Sequence, residues 1–322
     1  MINDDITILV FTYNEEKRIR HFLEITKEIY PVIVIDNFST DGTVNIAKEY
    51  TEHVYRYKNP GYTEHPDCIE FALSHVPTQW VFWGRADEIP PITLLKKLDE
   101  VVRIDTCDVV LISRLNLLFG VPTRTWGDDY QIAFFKKEYL NYRNNALFEN
   151  TIMDGARVKK LPATRELSLW HFSNYDISAY LHTNNRYSTI AANSILEQRN
   201  HSSKNKHSHH NEIKKRTLKR LVGWFQSSRR FTLLRVILNP YFRFIWHYLI
   251  RGGVRSGSVG LIASYLMMIE QILTELKIWE LENGISREKI DSYYDYIKDC
   301  LIKGNIPDLE ERPFMIANQT RY

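Results

Sequence analysis

The chain has 322 residues, of which 44% are hydrophobic and 25% are charged. This ordinary balance excludes a wholly disordered chain, a collagen or a coiled-coil rod. The length is sufficient for one large α/β domain or two domains of ordinary size. The three cysteines, Cys68, Cys107 and Cys300, are widely spaced and form no CxxC pair, so the sequence favours a reducing compartment.

The formal net charge of +3 hides an uneven distribution. Residues 214–255 hold 11 Lys or Arg and no Asp or Glu, so the remaining residues carry 31 basic against 39 acidic side chains. A basic stretch rich in aromatic residues indicates contact with an anionic surface, namely phospholipid, lipid phosphate or nucleic acid. A solvated helical face is the alternative. We expect no signal peptide, because Asn3, Asp4 and Asp5 precede the first apolar run. We also expect no membrane-spanning helix, because no uninterrupted apolar run reaches about 18 residues.

Strands and helices alternate through the first hundred residues. Short apolar runs rich in β-branched residues predict strands at residues 6–11, 32–35 and 80–83, and residues 53–57 are a further candidate strand. Apolar residues at helical spacing predict the helices that follow them, at residues 17–29, 43–50, 66–76 and 91–102. This alternation is typical of a parallel sheet covered by helices on both faces. In such sheets, ligands bind at the carboxyl ends of the strands.

The pattern changes beyond residue 105. Further strands are predicted at residues 108–114 and 130–136, with a polar-aromatic loop at residues 125–130 between them. A polar, histidine-rich segment follows later and is typical of an exposed loop. Basic, aromatic helices come next, and then a long helix from residue 259 to residue 282. The predicted organisation is an α/β domain, a polar loop and a helical extension: residues 1–200, 201–212 and 213–322.

Two polar motifs follow the first two predicted strands, Thr12-Tyr-Asn-Glu15 and Asp36-Asn-Phe-Ser-Thr-Asp-Gly-Thr43. A helix N-cap, with Asp41 near the positive end of the helix dipole, explains the end of the second motif. It does not explain Asp36, a carboxylate at the end of a buried strand that can accept hydrogen bonds from a base or a ribose. The chain has neither a P-loop nor a GxGxxG motif. A nucleotide would therefore be held by carboxylates, a metal and base-contacting loops.

These two motifs and a third, Trp80-Val-Phe-Trp-Gly-Arg-Ala-Asp-Glu88, resemble the inverting family 2 glycosyltransferases of GT-A fold. Within that family the chain resembles the lipopolysaccharide-core β-glucosyltransferases, on motifs that run from Phe148-Glu149 to Lys277-Ile-Trp-Glu280. The resemblance covers roughly residues 5–282. It implies an α/β fold of GT-A type, Rossmann-like, with a mostly parallel central sheet, helices on both faces and a C-terminal helical extension.

The resemblance also implies roles for individual residues. A nucleotide-sugar donor is expected to contact residues of the three motifs: Thr12, Tyr13, Asn14, Glu15, Asp36, Asn37, Ser39, Asp41, Arg85, Ala86 and Asp87. A divalent cation, Mn²⁺ or Mg²⁺, is expected on Asp87 and His171. Glu149 is expected to be the catalytic base, with Asp129 as its rival or as an acceptor contact. For His171 a satisfied core histidine is the alternative, and for Glu149 a surface carboxylate.

Three positions depart from the family pattern. Arg85 stands where the family has the first acid of Asp-x-Asp, and Phe148 replaces the usual His. The segment that starts at Cys68 lacks the basic residue and Asn that relatives often carry. An arginine can reach a diphosphate directly with a charged, bidentate fork, so the metal requirement is in doubt. A non-catalytic nucleotide-sugar-binding relative that acts as a partner or scaffold is therefore the alternative function.

The expected reaction moves a sugar, by default glucose, from a nucleotide diphosphate sugar, by default UDP, to a hydroxyl of a cell-envelope glycan or glycolipid such as lipopolysaccharide core. A divalent ion or Arg85 stabilises the leaving diphosphate, and a carboxylate on the opposite face deprotonates the acceptor. Residues 214–255 are expected to hold the protein peripherally on the cytoplasmic face of the cell membrane. Nucleic acid is the less favoured partner, since the N-terminal half contains no nucleic-acid motif. The sequence leaves the oligomeric state open.

Overall fold

The structure is a computed structural model of the chain. It describes residues 5–59, 64–123, 125–126, 129–142, 151–174, 176–204 and 232–303. The chain forms two compact units, one of Met1–Ile177 with Arg251–Gly260 and one of Ser178–Ile250 with Leu261–Tyr322. The predicted domain boundaries at residues 200 and 212 stay predictions, and residues 205–231, which include the second of them, lie outside the described part of the chain.

The first unit is built on a ten-stranded sheet. Four strands at one side run parallel in the order β3-β2-β1-β4: Ile6–Thr12 (β1), Val32–Asp36 (β2), Val54–Arg56 (β3) and Trp80–Arg85 (β4). Six further strands complete it: Glu88–Ile89 (β5), Val109–Leu118 (β6), Val121–Pro122 (β7), Asp129–Lys136 (β8), Val158–Lys160 (β11) and Leu169–Asn174 (β12). A separate two-stranded pair joins Leu140–Asn141 (β9) to Thr151–Ile152 (β10).

The sheet is mixed, because β8 lies between β4 and β6 and runs antiparallel to both. Phe135 of β8 is opposite Val81 on one side and Val109 on the other. A short connection suffices for the antiparallel step from β6 to β8, whereas a parallel step would need a longer crossover. The parallel arrangement that the sequence predicts therefore holds for β1 to β4. The later strands add antiparallel pairs and two further parallel pairs, those of β11 and β12 with β6.

Helices cover both faces of the sheet, as predicted. The first unit contains Ile19–Thr26 (α1), Thr43–Lys48 (α2), Pro66–Ser74 (α3) and Ile92–Ile104 (α4). Successive side chains of a strand point to opposite faces, so Ile8 and Val10 of β1 pack in one apolar cluster and Leu9 packs in another. Helices α1 and α4 contribute to the first cluster, and Ile69 of α3 contributes to the second.

A glycine allows α1 to pack closely on the sheet. A Cβ atom added to Gly84 of β4 would lie 2.3 Å from Cζ of Phe22, closer than any real Cβ contact. Phe22 is completely buried on α1. The absence of a side chain at residue 84 therefore makes room for the phenyl ring.

The second unit is helical. The elements that lie wholly or mainly in it are Ile177–Lys204 (α5), Thr232–Ile245 (α6), a π-helical turn at Trp246–Ile250, Gly257–Glu282 (α7) and Arg287–Ile302 (α8). Helix α7 confirms the predicted long helix. Together with the turn before it (Gly253–Glu282), it is long and apolar enough to cross a membrane, by length and composition only. A core helix of a soluble protein passes the same test, and 39% of the apolar window is buried here. The expectation that no such helix exists is not confirmed.

Candidate functional site

The loops that follow β1 and β2 are joined by hydrogen bonds. Three backbone N–H groups of the first loop donate to side chains of the second: Asn14 to Ser39 Oγ (2.8 Å), Glu15 to Thr43 Oγ1 (2.6 Å) and Glu16 to Asp41 Oδ2 (3.2 Å). In return, the backbone N–H of Thr40 donates to Asn14 Oδ1 at 2.9 Å. Asn14 has a φ of 55°, in the left-handed region that asparagine tolerates. Ser39 and Asp41 thus fix the shape of the two loops, and their predicted contact with a donor stays a prediction.

Two buried oxygens at the ends of β1 and β2 lack a hydrogen-bond partner within the described residues, Thr12 Oγ1 and Asp36 Oδ1. Thr12 and Asp36 are register partners, and they are 5% and 0% exposed. The other carboxylate oxygen, Asp36 Oδ2, accepts a hydrogen bond from the Ser39 backbone at 3.0 Å and lies 3.5 Å from Arg56 Nε. A buried polar group left unpaired costs about 1–3 kcal/mol. This pair of oxygens is therefore a place where a polar ligand would be stabilised.

Two exposed aromatic residues lie close to this pair along the chain: Tyr13 directly follows Thr12, and Phe38 is two residues after Asp36. Phe38 has a φ of 57°, and the Arg56 guanidinium lies 5.7 Å from its ring centre. Asn37 ties the loops further, because its backbone N–H donates to Thr12 O and its side chain accepts from the Asn59 backbone. Arg56 was not among the predicted site residues. Its signal is its position at the end of a third parallel strand, in register with Asp36.

The third predicted motif lies at the end of β4. Ala86 is buried, and the Arg85 side chain is about one-third exposed. Arg85 Nη1 and Arg114 Nη1 each lie 3.5 Å from Glu88 Oε1. Glu88 is completely buried, and neither of its carboxylate oxygens has a hydrogen-bond partner in the described structure. Two guanidinium groups therefore converge on one buried carboxylate beside Asp87.

Asp87 and His171, the two predicted metal ligands, lie together. His171 Nε2 is 3.3 Å from Asp87 Oδ2, and Arg18 Nη1 is 3.8 Å from the same oxygen. Strand β12 brings His171 here, because it pairs with Glu88 of β5 while the next backbone N–H, of Phe172, donates to Asp87 O at 2.8 Å. Burial alone would raise the pKa of the Asp87 carboxyl, but the neighbouring His171, Arg18 and Arg85 lower it below its ordinary value. Asp87 is therefore ionised at neutral pH.

The side chain of Asn116 determines the orientation of the His171 ring. Asn116 Nδ2 donates to Asp129 Oδ2 at 3.0 Å, so its amide oxygen faces His171 Nδ1 at 2.6 Å. An amide oxygen only accepts, so Nδ1 carries a proton and Nε2 faces Asp87. In neutral histidine, Nε2 and the Asp87 carboxylate are then both acceptors, and a proton or a cation is needed between them. Metal-bound histidines are commonly held through their second nitrogen in this way.

The oxygen and nitrogen donors of Asp87 and His171 fit a divalent cation such as Mn²⁺ or Mg²⁺. Two protein ligands are fewer than such an ion needs, and phosphate oxygens of a nucleotide commonly supply others. Within the described ranges, no group of three or more His, Cys, Asp or Glu side chains is placed to hold a metal. The pair therefore fits a cation that is shared with a bound diphosphate.

Both carboxylate oxygens of Asp129 are already engaged. Oδ2 accepts from Arg114 Nε at 2.8 Å and from Asn116, and Oδ1 accepts from Gln131 Nε2 at 2.7 Å. Burial opposes ionisation, but Arg114 and the hydrogen-bond donors lower the pKa of Asp129. These contacts indicate that Asp129 holds Asn116 and Arg114 in place, and they argue against a role for Asp129 as a proton acceptor. Glu149, the other predicted base, and Phe148 lie outside the described residues.

Glu15 is paired with Arg18, the first residue before α1. Arg18 Nη2 donates to Glu15 Oε1 at 2.5 Å and Nε donates to Oε2 at 2.6 Å. Burial raises the pKa of the Glu15 carboxyl, and the contact with Arg18 opposes that increase. Because Arg18 also approaches Asp87, it connects the first loop to the third motif. Arg18 was not among the predicted site residues either, although its spacing of three from Glu15 is a usual one for an ion pair at a helix start.

Arg114 and Asn116 were also missed. They alternate on β6 and so point to the same side of the sheet. The register pairs Arg114 with Asp129 of β8 and Asn116 with His171 of β12. Two polar residues at a spacing of two near the end of an apolar strand were the available signal.

Residues 7–161 match the protein family described as Glycosyl transferase family 2. This stretch is a family 2 glycosyltransferase domain. It contains all three motifs on which the resemblance was based, so the resemblance to family 2 and the glycosyltransferase class of this domain are confirmed. The α/β sheet, covered on both faces and followed by a helical region, confirms the predicted GT-A-type fold.

Proteins similar to the chain include two glycosyltransferases. Glycosyltransferase SunS of the SPbeta prophage of Bacillus subtilis (strain 168) is 32% identical over 104 residues, which are 31% of this chain and 24% of that protein. An uncharacterized glycosyltransferase of Rickettsia typhi is 26% identical over 203 residues, which are 60% of this chain and 68% of that protein. The chain thus spans about a quarter of the length of SunS.

Similar solved structures include S. aureus TarS 1–349 in complex with UDP-GlcNAc, with 16% identity, a TM-score of 0.43, and coverage of 87% of this chain and 92% of that chain. Another is glucosyl-3-phosphoglycerate synthase from Mycobacterium tuberculosis in complex with Mg²⁺ and UDP, with 14% identity and a TM-score of 0.40. The match between the two covers 60% of this chain and 79% of the synthase chain. Both TM-scores are below 0.5, so these similarities do not indicate what this chain binds or does.

Proposed function

We propose that the family 2 domain transfers a sugar from a nucleotide diphosphate sugar to an acceptor hydroxyl, with inversion at the anomeric carbon. The observation that carries the proposal is the pair of buried, unpaired oxygens, Thr12 Oγ1 and Asp36 Oδ1, at the carboxyl ends of two parallel strands. Uracil and ribose present the N–H and O–H groups that would satisfy both. UDP is therefore the proposed nucleotide, and glucose is the proposed sugar because of the resemblance to the lipopolysaccharide-core enzymes.

Positive charge for the diphosphate comes from two sources in this proposal. Asp87 and His171 would hold a divalent cation, which would neutralise charge on the diphosphate as it leaves. Arg85, which is partly exposed beside Asp87, supplies a guanidinium to the same group. Glu88 lies under Arg85 and Arg114 and keeps both guanidinium groups near the end of β4.

The proposed catalytic base is Glu149, which would take the proton of the acceptor hydroxyl as that oxygen attacks the sugar. The hydrogen bonds to both oxygens of Asp129 support this choice, because a carboxylate with three donors is a weak base. The proposed acceptor is a cell-envelope glycan or glycolipid such as lipopolysaccharide core. The protein would then act at the cytoplasmic face of the cell membrane, attached peripherally.

The test of this function is a panel of nucleotide sugars incubated with the purified chain and a lipopolysaccharide-core acceptor, with Mn²⁺ and with a chelator. We expect transfer from a UDP-sugar, with the product detected by mass spectrometry and its anomeric configuration by NMR. Binding of UDP without donor hydrolysis or transfer would select the non-catalytic alternative. Failure of every UDP compound to bind would remove the proposal altogether.

Thr12→Val tests the site directly, because it removes the unpaired hydroxyl and keeps the side-chain shape. We expect the free protein to become more stable while its affinity for UDP falls by roughly five- to tenfold, the scale of one hydrogen bond. Thr7→Val, at the other end of β1, is the control, since the Thr7 hydroxyl accepts a hydrogen bond from Thr78. That control should lose stability and leave UDP affinity unchanged.

A further inference from the structure

All exposed residues of the second half of α6 and the π-helical turn after it are apolar or aromatic. They recur in adjacent pairs every four residues, between 44% and 66% exposed: Ile237, Leu238, Tyr241, Phe242, Ile245, Trp246, Leu249 and Ile250. Residues with a period of about four lie on one side of a helix. This stretch therefore presents one continuous apolar stripe to its surroundings, which we call the apolar face.

Three polar residues of α6, Arg235, Asn239 and Arg243, point the other way, toward α7. Arg235 is 1% exposed, and its Nη2 lies 2.7 Å from Glu275 Oε2, which is also buried. Asn239 Nδ2 donates to Glu275 Oε1 at 3.0 Å. Arg243 donates to Gln271 Oε1 at 2.9 Å and to Glu270 Oε1 at 3.1 Å. The three α6 residues are spaced by four, so they form one polar row opposite the apolar face.

The second half of α6 turns its polar row inward and its apolar face outward, the reverse of a helix at the surface of a water-soluble domain. A buried arginine–glutamate pair is expensive to desolvate, and here it is retained while large apolar side chains stay uncovered. The arrangement also corrects the sequence interpretation of two arginines, Arg235 and Arg243. They do not face an anionic surface, because both form ion pairs with glutamates of α7. The apolar face is what this part of the chain offers to a partner.

We propose that the apolar face inserts into the headgroup and upper acyl region of a phospholipid bilayer. Eight aliphatic and aromatic side chains in one stripe match an interfacial helix, and Tyr241 and Trp246 are of the types that prefer that depth. Residues 213–269 contain no Asp or Glu, so this part of the sequence carries no acidic side chain that would oppose anionic headgroups. Residues 237–250 are too short to cross a bilayer, which needs about 20 helical residues, so the helix lies in the plane.

This inference rests on the proposed function in one respect only, the identity of the membrane, which is taken to be the cytoplasmic face of the cell membrane. Its test is independent of sugar transfer. The full chain is sedimented with vesicles of phosphatidylcholine and phosphatidylglycerol in equal amounts. The variant Phe242→Ser, Trp246→Ser, Ile250→Ser removes the apolar face, and Tyr294→Ser, Leu301→Ser, Ile302→Ser on α8 removes three comparably exposed side chains as a control.

We expect the wild-type chain and the control variant to bind the vesicles, also at high salt, because apolar insertion is not screened by salt. The apolar-face variant should bind more than about tenfold more weakly, given the contribution of each inserted side chain. Unchanged UDP affinity and an unchanged circular dichroism spectrum would show that the apolar-face variant is folded. If that variant is not folded, Phe242→Ser alone should still weaken vesicle binding. Equal binding of all three proteins would overturn the proposal. So would absence of vesicle binding, or a wild-type oligomer in solution that the apolar-face variant dissociates, since a second copy would then be the occupant.

Discussion

Asn116 determines which nitrogen of His171 faces Asp87. Its amide group is oriented from the other side by Asp129, which can accept a hydrogen bond and cannot donate one when ionised. The position of a proton on the imidazole ring is thus fixed by a carboxylate two side chains away. Asn116 is a positioning residue: it acts on the proposed cation only through His171.

Asn116→Leu should weaken Mn²⁺ binding by about 10- to 100-fold, the usual scale for losing the group that holds a metal-binding histidine. Electron paramagnetic resonance of Mn²⁺ with UDP and the protein measures this without an assay of transfer. Gln131→Leu is the matched control, because Gln131 also donates to Asp129 but does not contact His171. Equal Mn²⁺ affinity in both variants would show that the His171 ring is not held through Asn116.

Asp36→Ala should weaken UDP binding far more than Asp41→Ala does. Asp36 is completely buried with one unpaired oxygen, whereas Asp41 accepts hydrogen bonds from the Thr43 and Glu16 backbones and supports the loop. Calorimetric titration of UDP into both variants decides the matter. If the two affinities fall equally, Asp36 acts only through the shape of the loop.

Arg85→Ala should lower donor affinity and make any remaining transfer more dependent on added divalent ion. The reason is that one of the two proposed sources of positive charge is lost and the other must compensate. Arg85→Asp restores the acid pair of the family pattern and should raise the metal dependence further. Donor affinity is measured with a range of Mn²⁺ concentrations, and curves that coincide with the wild-type ones would exclude Arg85 from the diphosphate site.

Glu149→Gln should leave donor binding intact and lower turnover by about two to four orders of magnitude, the usual scale for a general base. Asp129→Asn should behave differently, because its partners Arg114 and Asn116 lose their anchor. It should weaken Mn²⁺ and donor binding along with turnover. Near wild-type transfer by Glu149→Gln would dismiss Glu149 as the base and return Asp129 to consideration.

Asp108→Asn should lower the stability of the fold by about 1–3 kcal/mol at pH 7, because it breaks buried contacts with Arg157 and Lys136. Hydrogen bonds from Arg157 hold the pKa of Asp108 below its ordinary value. A lowered pKa stabilises the folded state fully above the unfolded-state pKa of about 3.9, and the contribution is lost as the pH falls further. Urea unfolding should therefore show a constant difference between pH 7 and pH 5 and a smaller one near pH 2. A difference that is already lost at pH 5 would contradict the assignment.

The first half of the fold was predictable because its signals are local. Continuous apolar runs define β1, β2 and β4, and each is followed by a polar motif at the edge where ligands bind. The placement of Thr12 beside Asp36 follows from parallel pairing alone. Such features need no information beyond one strand and its neighbour.

The other half of the site was not predictable from local signals. Asn116, Arg114 and His171 meet because β8 lies antiparallel between β4 and β6, and because β12 returns beside β6. That order depends on pairings between segments far apart in the chain, which apolar periodicity does not encode. The burial of Arg235 against Glu275 is of the same kind, since the partner is 40 residues away.

The absence of a side chain at Gly84 affects the geometry of the whole candidate site, because it determines how closely α1 packs on the sheet. Phe22 occupies the volume that a side chain at residue 84 would need, and α1 carries Arg18 at its start, with Glu15 and Asp87 attached to it. One added methyl group would push the helix outward, and the ion pairs at its end would move with it. The relative position of the first and third motifs therefore depends on how closely the Phe22 ring packs against Gly84, a strand residue without a side chain.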